Sequence, residues 1–184
     1  MNLKNKKWKI FIIGEIFDEI INSKAYHKNQ LNTSYKSKFP YITRTKQNNG
    51  LELFVNSEKK FNKNPENTIV FGAESGTFFY EPFEYITGNK MYFIKDIHFN
   101  KYNCLFLVSI LNNVGEKFGY SLGLTASRLK NERIMLPVNE KGEPDYEFMS
   151  EYMKNIEKEQ IKKYTTYLKK LEDTDSNTDR GGGN

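Results

Sequence analysis

At 184 residues, with 14 Phe and 12 Tyr, the chain is large enough to bury one core and still carry an appendage. One cysteine excludes an internal disulfide, and the longest strongly apolar run, Cys104 to Leu111, is far below the roughly 18 residues that cross a bilayer. The net charge of +5 is uneven, because residues 1–64 hold 13 Lys/Arg against 5 Asp/Glu while residues 65–184 hold 15 against 18.

The chain opens on MNLKNKKWKIFIIGE, a basic start whose apolar stretch meets Glu15 within a few residues, too short for a secretory signal. With Cys104 inside an apolar run, this fits a reducing cytoplasm. Phe11 to Ile21 places Ile13, Ile16, Phe17, Ile20 and Ile21 at the spacing of a short amphipathic helix. Asn22 to Lys38 is polar and reads as a long surface loop.

Short β-like runs follow at Phe39–Thr43, Leu51–Val55, Thr68–Phe71, Thr77–Tyr80 and Met91–Ile94. Between them lie turn signals such as Asn48-Asn49-Gly50, Glu74-Ser75-Gly76 and Thr87-Gly88-Asn89. The pattern predicts an α+β protein with a twisted, mostly antiparallel β body over residues 1–143. Tyr102 to Asn113 reads as a buried helix, although periodicity alone does not separate it from a core strand.

An extended Leu136-Pro137-Val138 segment and a Gly142/Pro144 turn lead into a long C-terminal helix over residues 144–172. Asp145 suits its N-cap, and Glu147 suits the positive end of the helix dipole. Met149, Met153 and Ile156, then Ile161, Tyr164, Leu168 and Leu171, form a coiled-coil-like seam with a five-residue step between the two runs. At 1.5 Å per residue such a helix spans about 40 Å. The body is too small to cover it, so the pattern favours a partner helix and dimerisation over folding back. Residues 173–184 are polar and Gly-rich and are expected to form a disordered tail.

Signatures of independent catalysis are missing. His27 and His98 stand in unrelated contexts, no Cys/His spacing fits zinc, and no GxxxxGK[ST], GxGxxG or GxSxG occurs. Pro144-Asp145 and Glu58-Lys59-Lys60 stand in the wrong order for a nuclease site. The loop Thr43, Arg44, Thr45, Lys46, Gln47, Asn48 and Asn49 is different, because it concentrates base-reading side chains. Arg and Lys pair with guanine O6/N7, Asn and Gln pair with adenine N6/N7, and Thr hydroxyls hold phosphates. A tight Asn-Gly turn with solvated neighbours explains the same residues. A basic N-terminal half likewise fits either a polyanion partner or the Lys- and Asn-rich composition of an AT-biased genome.

Several elements, in order and spacing, resemble the DNA-specificity (S) subunits of type I restriction-modification systems and the related type IIB specificity subunits. They are Trp8-Lys9 leading into Ile13-Gly14-Glu15-Ile16-Phe17, Pro40-Tyr41-Ile42-Thr43-Arg44-Thr45 with Asn48-Asn49-Gly50, and Asn67-Thr68-Ile69-Val70. Gly76-Thr77-Phe78-Phe79-Tyr80, Arg128-Leu129-Lys130, Leu136-Pro137-Val138, Pro144-Asp145-Tyr146, Phe148-Met149 and Glu151-Tyr152 complete the set, and the resemblance covers about residues 8–157.

The resemblance implies a non-catalytic target recognition domain that reads one half of a bipartite site in double-stranded DNA, followed by a spacer helix. The family usually carries two such units, and this chain has room for one. That implies a half-subunit that homodimerises, or an excised domain. Its expected partners are a DNA methyltransferase subunit, which uses S-adenosylmethionine, and a restriction subunit with ATP and magnesium. No cofactor is expected on this chain. The resemblance also raises Thr43–Asn49 to a DNA contact and adds Ser75 and Thr77 as a second, and Arg128 and Lys130 as a third. An assembly or decoy protein that occupies a partner's spacer-helix site without DNA selectivity is the competing reading.

Overall fold

The computed structural model describes residues 2–119 and 121–178, the last seven as helix backbone. Three small sheets build the body. β1 (Trp8–Ile12) pairs antiparallel with β9 (Arg133–Pro137), so the two ends of the body close on each other. β2 (Glu19–Asn22), β5 (Thr68–Gly72), β6 (Phe78–Glu81) and β8 (Met91–Lys95) form an antiparallel sheet in the order β2-β8-β5-β6. β3 (Phe39–Ile42) lies between antiparallel β4 (Leu51–Val55) and parallel β7 (Ile86–Thr87).

The helix expected over Phe11–Ile21 forms only one turn, α1 (Ile13–Ile16), between β1 and β2. Its 3.6-residue periodicity is real, yet β9 and β8, far away in sequence, recruit the flanking residues as strands. Long-range ladders override the local signal, which is why a short apolar run does not fix its own secondary structure.

The buried helix is α2 (Lys101–Gly115). Asn100 caps it by accepting from the Tyr102 and Asn103 amides, while Asn103 Oδ1 accepts from the Asn100 amide at 2.9 Å. Its Cys104, Leu107 and Leu111 pack with Phe71, Phe78, Ile94 and Leu136 in the largest core cluster. α3 (Ala126–Asn131) was not foreseen; Thr125 caps it and Leu129 anchors it.

α4 (Tyr146–Thr178) is long, about 50 Å at 1.5 Å per residue. Asp145 caps it, accepting from the Phe148 amide at 2.9 Å and pairing with Lys6 at 2.5 Å. Tyr146 stacks on His98 with centroids 4.8 Å apart and donates to the Ile16 carbonyl. Glu157 receives Lys101 and the Tyr102 hydroxyl from α2 at 2.7 and 2.8 Å. From Lys158 to Leu171 the side chains are exposed. The helix backbone runs to Thr178, and residues 179–184, part of the expected tail, lie outside the described residues.

The seam anticipated along this helix divides. Met149 is fully buried in the body core, so it is unavailable to a partner, and Met153 packs on the same cluster. Ile156 is half-buried. Ile161, Tyr164, Leu168 and Leu171 are exposed, as is the neighbouring Tyr167. At 3.6 residues per turn, the five-residue step turns the second stripe roughly 70° from the first. One run docks the helix, and the other faces outward.

Candidate nucleic-acid interface

The β3–β4 hairpin carries the polar loop. Tyr41 and Ile42 anchor its base in the core, with a register shift between them. Thr43 donates to the Gly50 carbonyl at 2.8 Å and Gly50 to that of Gln47 at 2.9 Å, which closes the loop. Asn48, Asn49 and Gly50 are consecutive left-handed residues, with φ of 49°, 53° and 81°. Asn tolerates that region better than most side chains. Gly50 is required there, since a Cβ would press on Ile42 and Phe79 at 3.1 Å. Lys46, Gln47, Asn48 and Asn49 are exposed, whereas Thr43, Arg44 and Thr45 are half-buried at the base.

The turn after β5 meets this loop. Arg44 pairs with Glu74, whose second oxygen takes Lys90 at 2.6 Å. Lys46 faces Ser75, Gly76 and Thr77 across a small open cleft that Asn112 and Gly115 of α2 complete. Gly76 has φ of 59°, and a Cβ there would overlap the Gly115 carbonyl. Glycine at both positions lets two backbones touch and fixes the turn to the end of α2. Asn112 extends that fixation, accepting from the Phe78 amide at 2.8 Å and donating to its carbonyl at 3.3 Å. Ser75 and Thr77 are partly occupied within the turn, since the Thr77 hydroxyl donates to the Ser75 carbonyl.

The third pair of sequence candidates separates. Arg128 donates to the Gly123 carbonyl, and the adjacent Leu124 amide donates to Ala73 at 2.7 Å, so this guanidinium sits on a segment tied to the same turn. Lys130 is at the other side of α3, its backbone packed on Gly14 of α1. The fold thus brings Thr43–Asn49 together with Ser75 and Thr77, keeps Arg128 linked to them, and leaves Lys130 apart.

Sequence reasoning marked the turn that holds Glu74 but gave that residue no role, and passed over Lys90. Glu74 has the wrong sign for a polyanion contact, so a search for base-reading residues skips it, yet it joins two loops. Farther along β6, burial pushes the Glu81 carboxyl up to about 8. Tyr41 is also pushed above the usual tyrosine range, first by burial and then by the Glu52 charge. Among the described residues, no group of three or more His, Cys, Asp or Glu could hold a metal ion, and no helix is long and apolar enough to cross a membrane.

The fold thus defines a small α+β body with a polar loop edge and a long helix projecting from it. The chain belongs to the type I restriction-modification DNA specificity domain family, whose model matches residues 5–165. It is 31% identical over 153 residues to the specificity subunit S.BcgI of a type II restriction enzyme from Heyndrickxia coagulans, a match covering 82% of this chain and 44% of that protein.

In structure it resembles the type I restriction-modification S subunit from M. genitalium, with TM-score 0.60 and 14% identity over 92% of this chain and 43% of that one. The HsdS subunit from Thermoanaerobacter tengcongensis gives 0.57 and 15% over 93% and 41%. The chain therefore spans less than half the length of these relatives.

Proposed function

We propose that this chain is the non-catalytic DNA-reading part of a restriction-modification enzyme, one body reading one half of a bipartite site in duplex DNA. The observation that supports it best is the convergence of two rigid loops at Glu74. Their outer rim offers Lys46, Gln47, Asn48 and Asn49 to a groove. Arg44 is held at the base by Glu74 and would orient the loop, while Ser75, Thr77 and Arg128 would meet backbone phosphates. Each good bidentate base contact discriminates by about 1–3 kcal/mol, so a few exposed amides and one ammonium suffice for a short half-site.

The distal part of α4 would join a second copy through Ile161, Tyr164, Leu168 and Leu171, which are solvent-exposed on one face. Two bodies joined this way read two half-sites at a spacing set by the helices. The assembly would position a methyltransferase subunit that carries S-adenosylmethionine and acts on an adenine extruded from the stack. Restriction subunits with ATP and magnesium would join the same scaffold. This chain supplies address, and its partners supply chemistry.

Selection from a random duplex pool tests the reading directly. Sequence-selective binding that weakens steeply with salt is expected. No duplex binding at low salt, with a methyltransferase subunit present, would overturn it. The exposed apolar stripe favours a second reading in that case, a decoy that fills a partner's spacer-helix site, and subunit capture without DNA selectivity would identify it.

A further inference from the structure

We propose that the turn Ser34–Ser37 is a second DNA contact, one that grips the phosphate backbone outside the two reading loops. The Ser37 amide donates to the Ser34 carbonyl at 3.0 Å, so Tyr35 and Lys36 occupy the two central positions of a β-turn. Tyr35 is 93% exposed, and the Lys36 ammonium lies 5.3 Å from its ring centroid. Lys38 follows, also exposed.

This turn is braced. Asn56, just after β4, accepts from the Ser34 hydroxyl at 3.0 Å and the Ser37 hydroxyl at 2.7 Å. Ser37 Oγ also accepts from the Ser34 amide at 2.8 Å, and the Asn56 amide donates to the Asn32 carbonyl at 2.9 Å. A solvated connection needs no such bracing, and an aromatic ring held out in water contributes nothing to the body's core. Stiff presentation of a Tyr instead lowers the entropic cost of a contact made elsewhere.

Charge indicates what that contact is. Lys28, Lys60 and Lys63 are paired with Glu52, Glu58 and Glu84. Lys36, Lys38 and the nearby Lys59 make no ion pair among the described residues, so their charge is available to a polyanion. Phosphate oxygens accept from ammonium and phenol donors alike. Only β3 separates Lys38 from Thr43, five residue steps or roughly 16 Å at 3.3 Å per residue. That is about five base steps at 3.4 Å each, so one duplex can meet the turn and the reading loop together.

The inference rests on the DNA-reading function, and the experiment separates the two. Full-length wild type and Lys36→Ala/Lys38→Ala are titrated with a pool-selected duplex and with an unrelated one across a salt series. Loss of two phosphate contacts should shallow the slope of log K against log salt by about 1.8. Both duplexes should weaken alike, leaving their ratio unchanged. Tyr35→Ala should weaken both, as should Asn56→Ala, which alters no charge and only loosens the turn.

Wild-type binding with an unaltered slope in the double variant overturns the turn contact and leaves the function standing. Loss confined to the selected duplex overturns the phosphate role, because the turn would then read bases. Loss of methyltransferase association with intact DNA binding makes it a protein contact and overturns the proposal too. Absence of wild-type DNA binding, with the methyltransferase subunit present, overturns both.

Discussion

Arg44 donates to the carboxylate of Glu74, and this contact joins the loop after β3 to the turn after β5. Lys90 shares the same carboxylate. The pair is partly solvated, with side-chain exposures of 37% and 19%, so its contribution to stability is small, about 1 kcal/mol or less. Its consequence is geometric, since it fixes how two polar loops face outward together.

Glu74→Gln should therefore lower selectivity more than affinity. Removing the carboxylate frees two cations, which raises non-specific attraction, while the loops lose their common anchor. The ratio of selected to unrelated duplex binding should fall several-fold with a thermal midpoint close to wild type. An unchanged ratio would sink the coupling.

The exposed amides carry a sharper expectation. Asn48→Ala or Gln47→Ala should relax preference at one base position by about 1–3 kcal/mol. Gln47→Ala should leave stability within about 0.5 kcal/mol, whereas Asn48→Ala should cost more, because alanine tolerates the left-handed backbone there less well than asparagine. Arg44→Ala should weaken binding or relax one position by about 1–3 kcal/mol if its guanidinium leaves Glu74 for a base. Equal weakening on every sequence would instead make it a phosphate contact. Selection profiles of the variants distinguish these outcomes.

The two apolar runs of α4, Met149–Ile156 and Ile161–Leu171, should behave oppositely. Ile161→Asp/Leu168→Asp, or removal of residues 158–184, should abolish helix-mediated dimers in sedimentation while the body melts as before. Met149→Ala should leave self-association alone and cost the body about 2–5 kcal/mol, the usual range for a buried methionine. A dimer that survives the truncation would place its interface elsewhere.

Glu81 gives a pH dependence whose sign follows from its burial. Its carboxyl is pushed up from 4.5 to about 8 in the folded chain. Between those values the unfolded chain has lost a proton that the folded chain keeps, so stability falls as pH rises through that window and levels above it. The slope is of the order of 1 kcal/mol per pH unit. Glu81→Gln should remove this component, and chemical denaturation at several pH values reads the difference from wild type. Identical pH profiles would show that Glu81 is not the source.

Much of the body was legible in the residues. The strands Leu51–Val55 and Met91–Lys95 and the helix from Lys101 follow their own apolar patterns and turn signals. Asp145 announced its cap through residue type and position, which are local properties. β1 and β9 did not announce themselves as partners, since their ladder joins residues more than 120 positions apart. For the same reason Ile13 and Ile16 read as the start of a longer helix.

The candidate site divides along that line. Residue chemistry alone marked Lys46 to Asn49 as side chains suited to base edges, and marked Glu74-Ser75-Gly76 as a turn. It also laid out both apolar runs of the C-terminal helix. The fold alone decided that Glu74 gathers Arg44 and Lys90, that Gly76 meets Gly115, and that Lys130 stands apart from Arg128. It also decided that Met149 turns inward while Ile161 to Leu171 stay exposed. Propensity and patterning are set by near neighbours along the chain, whereas contacts and burial depend on which distant segments pack together.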